Sequence, residues 1–136
     1  MFTYELDASQ RRVNVVVSGQ TSGTEILTGL RQVLDDQRFD PEYAILVDLG
    51  ALKQTPTIAE LRDIALAVRA NSVGTGARRA MITSSTVFYE LAQLFARLTA
   101  GSASKYRAFH SRADAETWLA VAGPDGDQEE SDSPTV

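Results

Sequence analysis

Apolar residues recur at every second position at the start of the chain. Phe2, Tyr4 and Leu6 alternate with Thr3, Glu5 and Asp7, and Val13, Val15 and Val17 with Asn14, Val16 and Ser18. Period two is the signature of a strand with one buried face, and the polar link Asp7-Ala8-Ser9-Gln10 predicts an antiparallel hairpin. The period then lengthens. Ile26, Leu27, Leu30, Val33 and Leu34 recur at helical spacing behind Ser22-Gly23-Thr24-Glu25, whose Ser and Glu have capping-box spacing. This helix is expected to run to about Gln37 and to break at Phe39-Asp40-Pro41, because the residue before proline is pushed out of the α region.

Ala44-Ile45-Leu46-Val47 is apolar on both parities, as in a central strand covered on both faces. A second helix should start near Thr55-Pro56-Thr57, present Ile58, Leu61, Ile64, Ala65 and Val68 on one face, and stop by Gly74-Thr75-Gly76. Ala80-Met81-Ile82 reads as another interior strand, and Thr86 to about Thr99 as a third helix closed by Gly101. Tyr106 to His110 is a last strand. Ser111 then caps a final helix from Ala113 to Val121, stopped by Gly123-Pro124.

The resulting order is β-β-α-β-α-β-α-β-α. It predicts an α/β fold: a mostly parallel five-stranded sheet with an antiparallel leading hairpin strand, right-handed crossovers and helices packed against the sheet. The boundaries read as an α/β domain over residues 1–122 and an acidic tail over 123–136. Pro, Gly, Ser and acids dominate that tail, and it is expected to be disordered.

Charge sharpens this division. The net charge of −5 comes from Asp125, Asp127, Glu129, Glu130 and Asp132; the remaining acids match the 13 Lys and Arg residues. A nearly neutral body argues against a nucleic-acid partner, although Arg78-Arg79 and Lys105-Tyr106-Arg107 make small basic clusters. The chain has no cysteine, which excludes disulfides, thiolate nucleophiles and cysteine metal ligands. No apolar run approaches the roughly 20 residues of a membrane span, and the N-terminus lacks a signal peptide's pattern. A cytoplasmic protein with no integral membrane segment is expected.

The element order, the Asp48-Leu49 strand end and the closing FHSRADAETWLA segment together resemble the SpoIIAA-like, or STAS-like, proteins. These relate to bacterial anti-sigma-factor antagonists and share their broad architecture with CRAL-TRIO lipid-transfer domains. The resemblance covers about residues 2 to 121, with Ala115 and Trp118-Leu119 at core-facing spacing in the last helix. It implies a non-enzymatic regulatory or interaction domain in the bacterial cytoplasm, binding a protein partner or a small ligand. Phospho-regulated antagonists carry an Asp-Ser-Ser-Gly-like turn at the start of the helix after this strand. Here Gln54-Thr55-Pro56-Thr57-Ile58-Ala59 stands in its place, with neither serine nor glycine.

Candidate chemistry is sparse. Asp48 reads as a strand-end acid accepting hydrogen bonds from the following loop, with no ligand set near it in sequence to support a metal. Thr57 with Glu60 spells a second capping box, and Thr55 before Pro56 offers another cap. The functional reading of Thr55 and Thr57 is phosphorylation, which a helix N-terminus favours electrostatically. His110 is the single histidine; Ser84, Ser85, Ser102, Ser104 and Ser111 are its paper partners for a triad, but none lies in a G-x-S-x-G elbow. Gly74-Thr75-Gly76-Ala77 lies between a helix and the next strand, the wrong place for a phosphate loop.

The third helix has the widest apolar arc. Val87, Leu91, Leu94, Phe95 and Leu98 supply a core stripe that Phe88, Tyr89 and Ala92 extend. Such an arc is deep core, a groove for an apolar ligand, or a dimer contact. Phe88, Tyr89, Ala92 and Phe95 are therefore the groove or interface candidates, with Asp48, Thr55 and Thr57 the regulatory ones. No cofactor, metal or catalytic set is expected. A homodimer, a protein partner and an apolar, lipid-like small molecule held between the helices after the third and fourth strands are the partners to test, and an enzyme is the least favoured class.

Overall fold

A computed structural model describes residues 1–70, 77–100 and 105–120. The expected stop at Gly74-Thr75-Gly76, the Gly101 helix end, Ser102, Ser104, Val121, the Gly123-Pro124 stop and the acidic tail lie outside these residues.

The elements follow the predicted order: β1 (Phe2–Asp7), β2 (Arg12–Gly19), α1 (Gly23–Asp35), β3 (Ala44–Leu52), α2 (Ile58–Ala70), β4 (Arg78–Ile82), α3 (Thr86–Leu98), β5 (Lys105–Phe109) and α4 (Arg112–Ala120). The strands lie in the order β1-β2-β3-β4-β5, with β1 antiparallel to β2 and every later pair parallel. Because the order never reverses, right-handed crossovers put α1, α2 and α3 on the same face. The sheet therefore has no switch point of the kind that makes a ligand crevice in doubly wound folds.

Register separates the two faces. Val13, Ile45 and Arg79 align on the face under α1–α3, followed one pleat on by Val15, Val47, Met81 and Ala108. Leu46 and Ala80 point the other way, where Ile82, Phe109, Ala115 and Trp118 complete a smaller core beneath α4. Alternation in β1 and β2 works as the sequence predicts: Val13, Val15 and Val17 are buried and Val16 is exposed.

Three boundaries differ from expectation. Helix α1 ends at Asp35 rather than near Gln37, because the Asp36 carboxylate binds the Arg38 N–H and guanidinium at 2.9 and 2.8 Å, and the chain turns there. The third strand does not end at Asp48. A bulge between Val16 and Ser18 lets β3 continue alongside β2, with Ser18 opposite Ala51 and Gly19 opposite Leu52. On α2, Leu61, Ile64, Ala65 and Val68 are buried as expected, but Ile58 is the first helical residue and is exposed.

Candidate functional site

The helices begin at the carboxyl end of the parallel strands, and two of their N-termini meet there. Ser22 Oγ accepts the Glu25 N–H at 3.1 Å while Glu25 accepts the Ser22 N–H at 2.9 Å. Thr57 and Glu60 repeat the arrangement at 3.1 and 2.8 Å. Backbone hydrogen bonds hold both glutamates below the ordinary carboxyl value. Gly23 lets the two helix starts touch, since a Cβ there would lie 2.5 Å from Glu60 Cβ.

Below this junction the packing leaves a cavity of about 100 Å³. Strand β3 supplies its floor through Ile45, Val47, Leu49 and Leu52. Ile26 and Leu30 of α1, and Leu61 and Ile64 of α2, form one side; Phe88, Leu91, Ala92 and Phe95 of α3 form the other. Phe2 and Pro56 close the carboxyl end, and Tyr106 and Arg79 lie among the walls as well. Val47 sits mid-strand beneath the helices, yet it and Leu49 are only half-buried. The surface they keep faces the unfilled space.

Arg79 is buried, donates to the Tyr43 and Pro41 carbonyls at 3.0 and 3.2 Å, and lies over the Phe39 ring. Burial lowers its affinity for a proton. Burial also pushes the Tyr106 phenol up to about 12.

The sequence-derived candidates divide among separate places. Phe88, Ala92 and Phe95 line the cavity, with Ala92 and Phe95 buried. Val87, expected in the core stripe, is instead 59% exposed; the inward stripe of α3 starts one residue later. Tyr89 is not a cavity wall. Its ring stacks on His110 with centroids 3.8 Å apart and planes at 17°.

Asp48 points to the opposite face of the sheet. Its Oδ1 accepts the Gly50 N–H at 2.8 Å, and its Oδ2 pairs with Arg112 of α4 at 3.1 Å. Arg112 and Arg12 both reach Glu116, at 3.7 and 3.3 Å, so an ionic chain clips α4 to the sheet. Asp48 is therefore not brought together with the threonines. Thr57 is the cap of α2, whereas Thr55 and Pro56 lie before it, so proline does not occupy the first helical position. A phosphate on Thr57 would meet the Glu60 carboxylate that already binds the Thr57 N–H, a like-charge encounter. Thr55 is exposed and lacks that neighbour among its described contacts.

Among the described residues no triad around His110 is evident, Ser102 and Ser104 lying outside them. Ser85 caps α3 by accepting the Phe88 N–H at 3.3 Å, Ser111 caps α4 by accepting the Asp114 N–H at 3.2 Å, and His110 is exposed against Tyr89. Among the described residues no group of three or more His, Asp or Glu is placed to hold a metal ion. No helix there is long and apolar enough to cross a membrane.

The cavity as such was not legible in the sequence. A strand position apolar on both parities predicts full burial, and only the packing shows that Val47 lacks neighbours on one side.

No protein-family model matches this chain, and no curated protein is similar to it. Among solved structures, it is similar to an uncharacterized protein from the DUF3478 family with a SpoIIAA-like fold, from Shewanella loihica PV-4. The two align with a TM-score of 0.56 and 17% identity over 88% of this chain and 92% of that one. The chain has a SpoIIAA-like fold.

Proposed function

We propose that this chain is a non-enzymatic, STAS-like binding domain whose occupant is a small apolar molecule held between the sheet and helices α1–α3. One observation carries the reading: mostly aliphatic and aromatic side chains surround about 100 Å³ of unfilled space, with the central-strand residue Val47 only half-buried beneath it. At roughly 24 cal/mol per Å³, an empty apolar volume of that size costs about 2 kcal/mol of stability. An occupant that fills it recovers the lost contacts. The walls favour a hydrocarbon or aromatic group over a charged one, because a buried charge needs partners and the charged wall residue, Arg79, already donates to the Tyr43 and Pro41 carbonyls. A regulatory role fits this reading, with ligand occupancy as the signal in place of a phosphoserine in the turn before α2, where this chain has no serine.

Native mass spectrometry of untreated protein, with organic extraction of the same material, tests the proposal. The expected result is an extractable apolar species, or, for empty protein, saturable binding of benzene followed through methyl resonances of the cavity walls. Ala92→Leu fills the space from α3 and should abolish either signal while the fold persists. Empty extracts together with no benzene response would overturn the reading.

A further inference from the structure

Helix α3 carries a second apolar stripe, of which only Leu91 also lines the cavity. Phe88, Ala92, Phe95 and, at the helix end, Thr99 turn inward. About 100° around the helix lie Val87, Leu91, Leu94 and Leu98, aligned within a narrow band at 3.6 residues per turn. Val87 is 59% exposed and the three leucines are half-buried. With Glu90 and Arg97, Val87, Leu91 and Leu94 line a shallow groove on the outside of the helix.

The four-three-four spacing of this stripe is that of successive d and a positions in a coiled-coil heptad. Glu90 and Arg97 then both fall at position g, seven residues apart on the same flank. Neither has an ion-pair partner among the described residues. Two helices packed antiparallel bring g positions opposite one another. A two-fold axis through the seam between Leu91 and Leu94 sets Val87 against Leu98, Leu91 against Leu94, and Glu90 against Arg97 of a second copy. The pattern is self-complementary, as a closed two-fold interface requires. A parallel pairing lacks this match, because the facing e positions are Phe88 and Phe95, which turn into the cavity.

We propose that a second copy of this chain docks on the outer face of α3, forming an antiparallel α3–α3 homodimer held by the Val87/Leu91/Leu94/Leu98 seam and two Glu90–Arg97 pairs. The inference does not require an occupant in the cavity, since Val87, Leu94 and Leu98 are not cavity walls and Leu91 alone is shared. The seam is short, about 16 Å from Val87 to Leu98 at 1.5 Å per residue. A single helix pair covers less than the roughly 800 Å² per partner of a standard interface, so the dimer should dissociate on dilution.

Sedimentation velocity on the full chain, from micromolar to near-millimolar concentration, tests the proposal. Glu90→Arg and Arg97→Glu should each weaken self-association about tenfold or more, because each replaces two attractions by two repulsions. The double variant Glu90→Arg/Arg97→Glu should regain it. Mixing the two single variants in equal amounts should produce a heterodimer, since each supplies the charges that the other needs. Urea melts of the single variants should match wild type, these side chains being exposed, and extraction of the same samples reads cavity occupancy separately. A monomer at every concentration overturns the proposal, as does a dimer whose dissociation is the same in all four proteins.

Discussion

Gly29 of α1 lies against the ring of Phe2: a Cβ at Gly29 would sit 2.6 Å from Phe2 Cε1 and nearer still to two other ring atoms. The helix approaches the hairpin this closely because that position has no side chain. Gly29→Ala should therefore destabilise the protein by about 1 kcal/mol. Overpacking costs of about 1–3 kcal/mol outweigh the gain of about 1 kcal/mol in helix propensity. Phe2 is also a cavity wall, so the variant should perturb ligand or benzene binding. Urea denaturation checks the first effect, and a more stable Gly29→Ala protein would contradict the packing described.

Asp48 joins β3 to α4 through an ion pair whose side chains are 32% and 49% exposed. Exposed pairs contribute little, typically below about 1 kcal/mol. Asp48→Asn keeps an acceptor for the Gly50 N–H and should cost less than that. Arg112→Ala also cuts the link to Glu116, yet should stay within about 1 kcal/mol. A loss of several kcal/mol in either variant would show that the clip on α4 is stronger than its exposure implies.

The two threonines before α2 are expected to behave differently. Thr57→Ala removes the oxygen that accepts the Glu60 N–H and should cost about 1 kcal/mol. Thr55→Ala removes an exposed hydroxyl outside the helix and should fall within about 0.5 kcal/mol of wild type. Equal losses in thermal or urea melts would place the cap elsewhere.

Tyr106 gives the fold an alkaline limit. Burial raises its phenol from 10.0 to about 12, so the unfolded chain ionises first as the pH rises. This contribution to stability is complete below pH 10 and is lost between there and about pH 12. Ultraviolet titration of the four tyrosines should show a late fraction, to which Tyr4 also contributes through its hydrogen bond to Asp36. Tyr106→Phe should shrink that fraction; an unchanged titration would rule out the assigned burial.

The sequence made the topology legible because its signals were local and agreed with one another. Valines at alternate positions marked β2, and Ser22-Glu25 marked the start of α1, while Thr57-Glu60 and Thr55-Pro56 offered two neighbouring starts for α2, of which the structure uses the first. The extension of β3 was hidden because Gly50 and Ala51 carry no strand pattern; pairing with β2 across the bulge creates it. The phase of α3 was hidden for the opposite reason. Val87, Leu91, Leu94 and Leu98 form as good an apolar stripe as Phe88, Ala92 and Phe95, and periodicity alone does not choose between two stripes. Packing against the sheet chooses, and the second stripe is left half-buried at the leucines and exposed at Val87. The cavity needed three helices and a strand to be placed together, which no local pattern encodes.

Leu91 belongs to both spaces on α3, lining the inner cavity and the outer groove. One side chain thereby forms a partition between the proposed ligand and the proposed second copy. Thermodynamic linkage makes the effect of such a partition symmetrical: the factor by which an occupant changes dimer affinity is the factor by which dimerisation changes occupancy. Under the two proposals together, a protein with no serine in its expected turn would use a single leucine to convert the presence of a small molecule into a change of assembly.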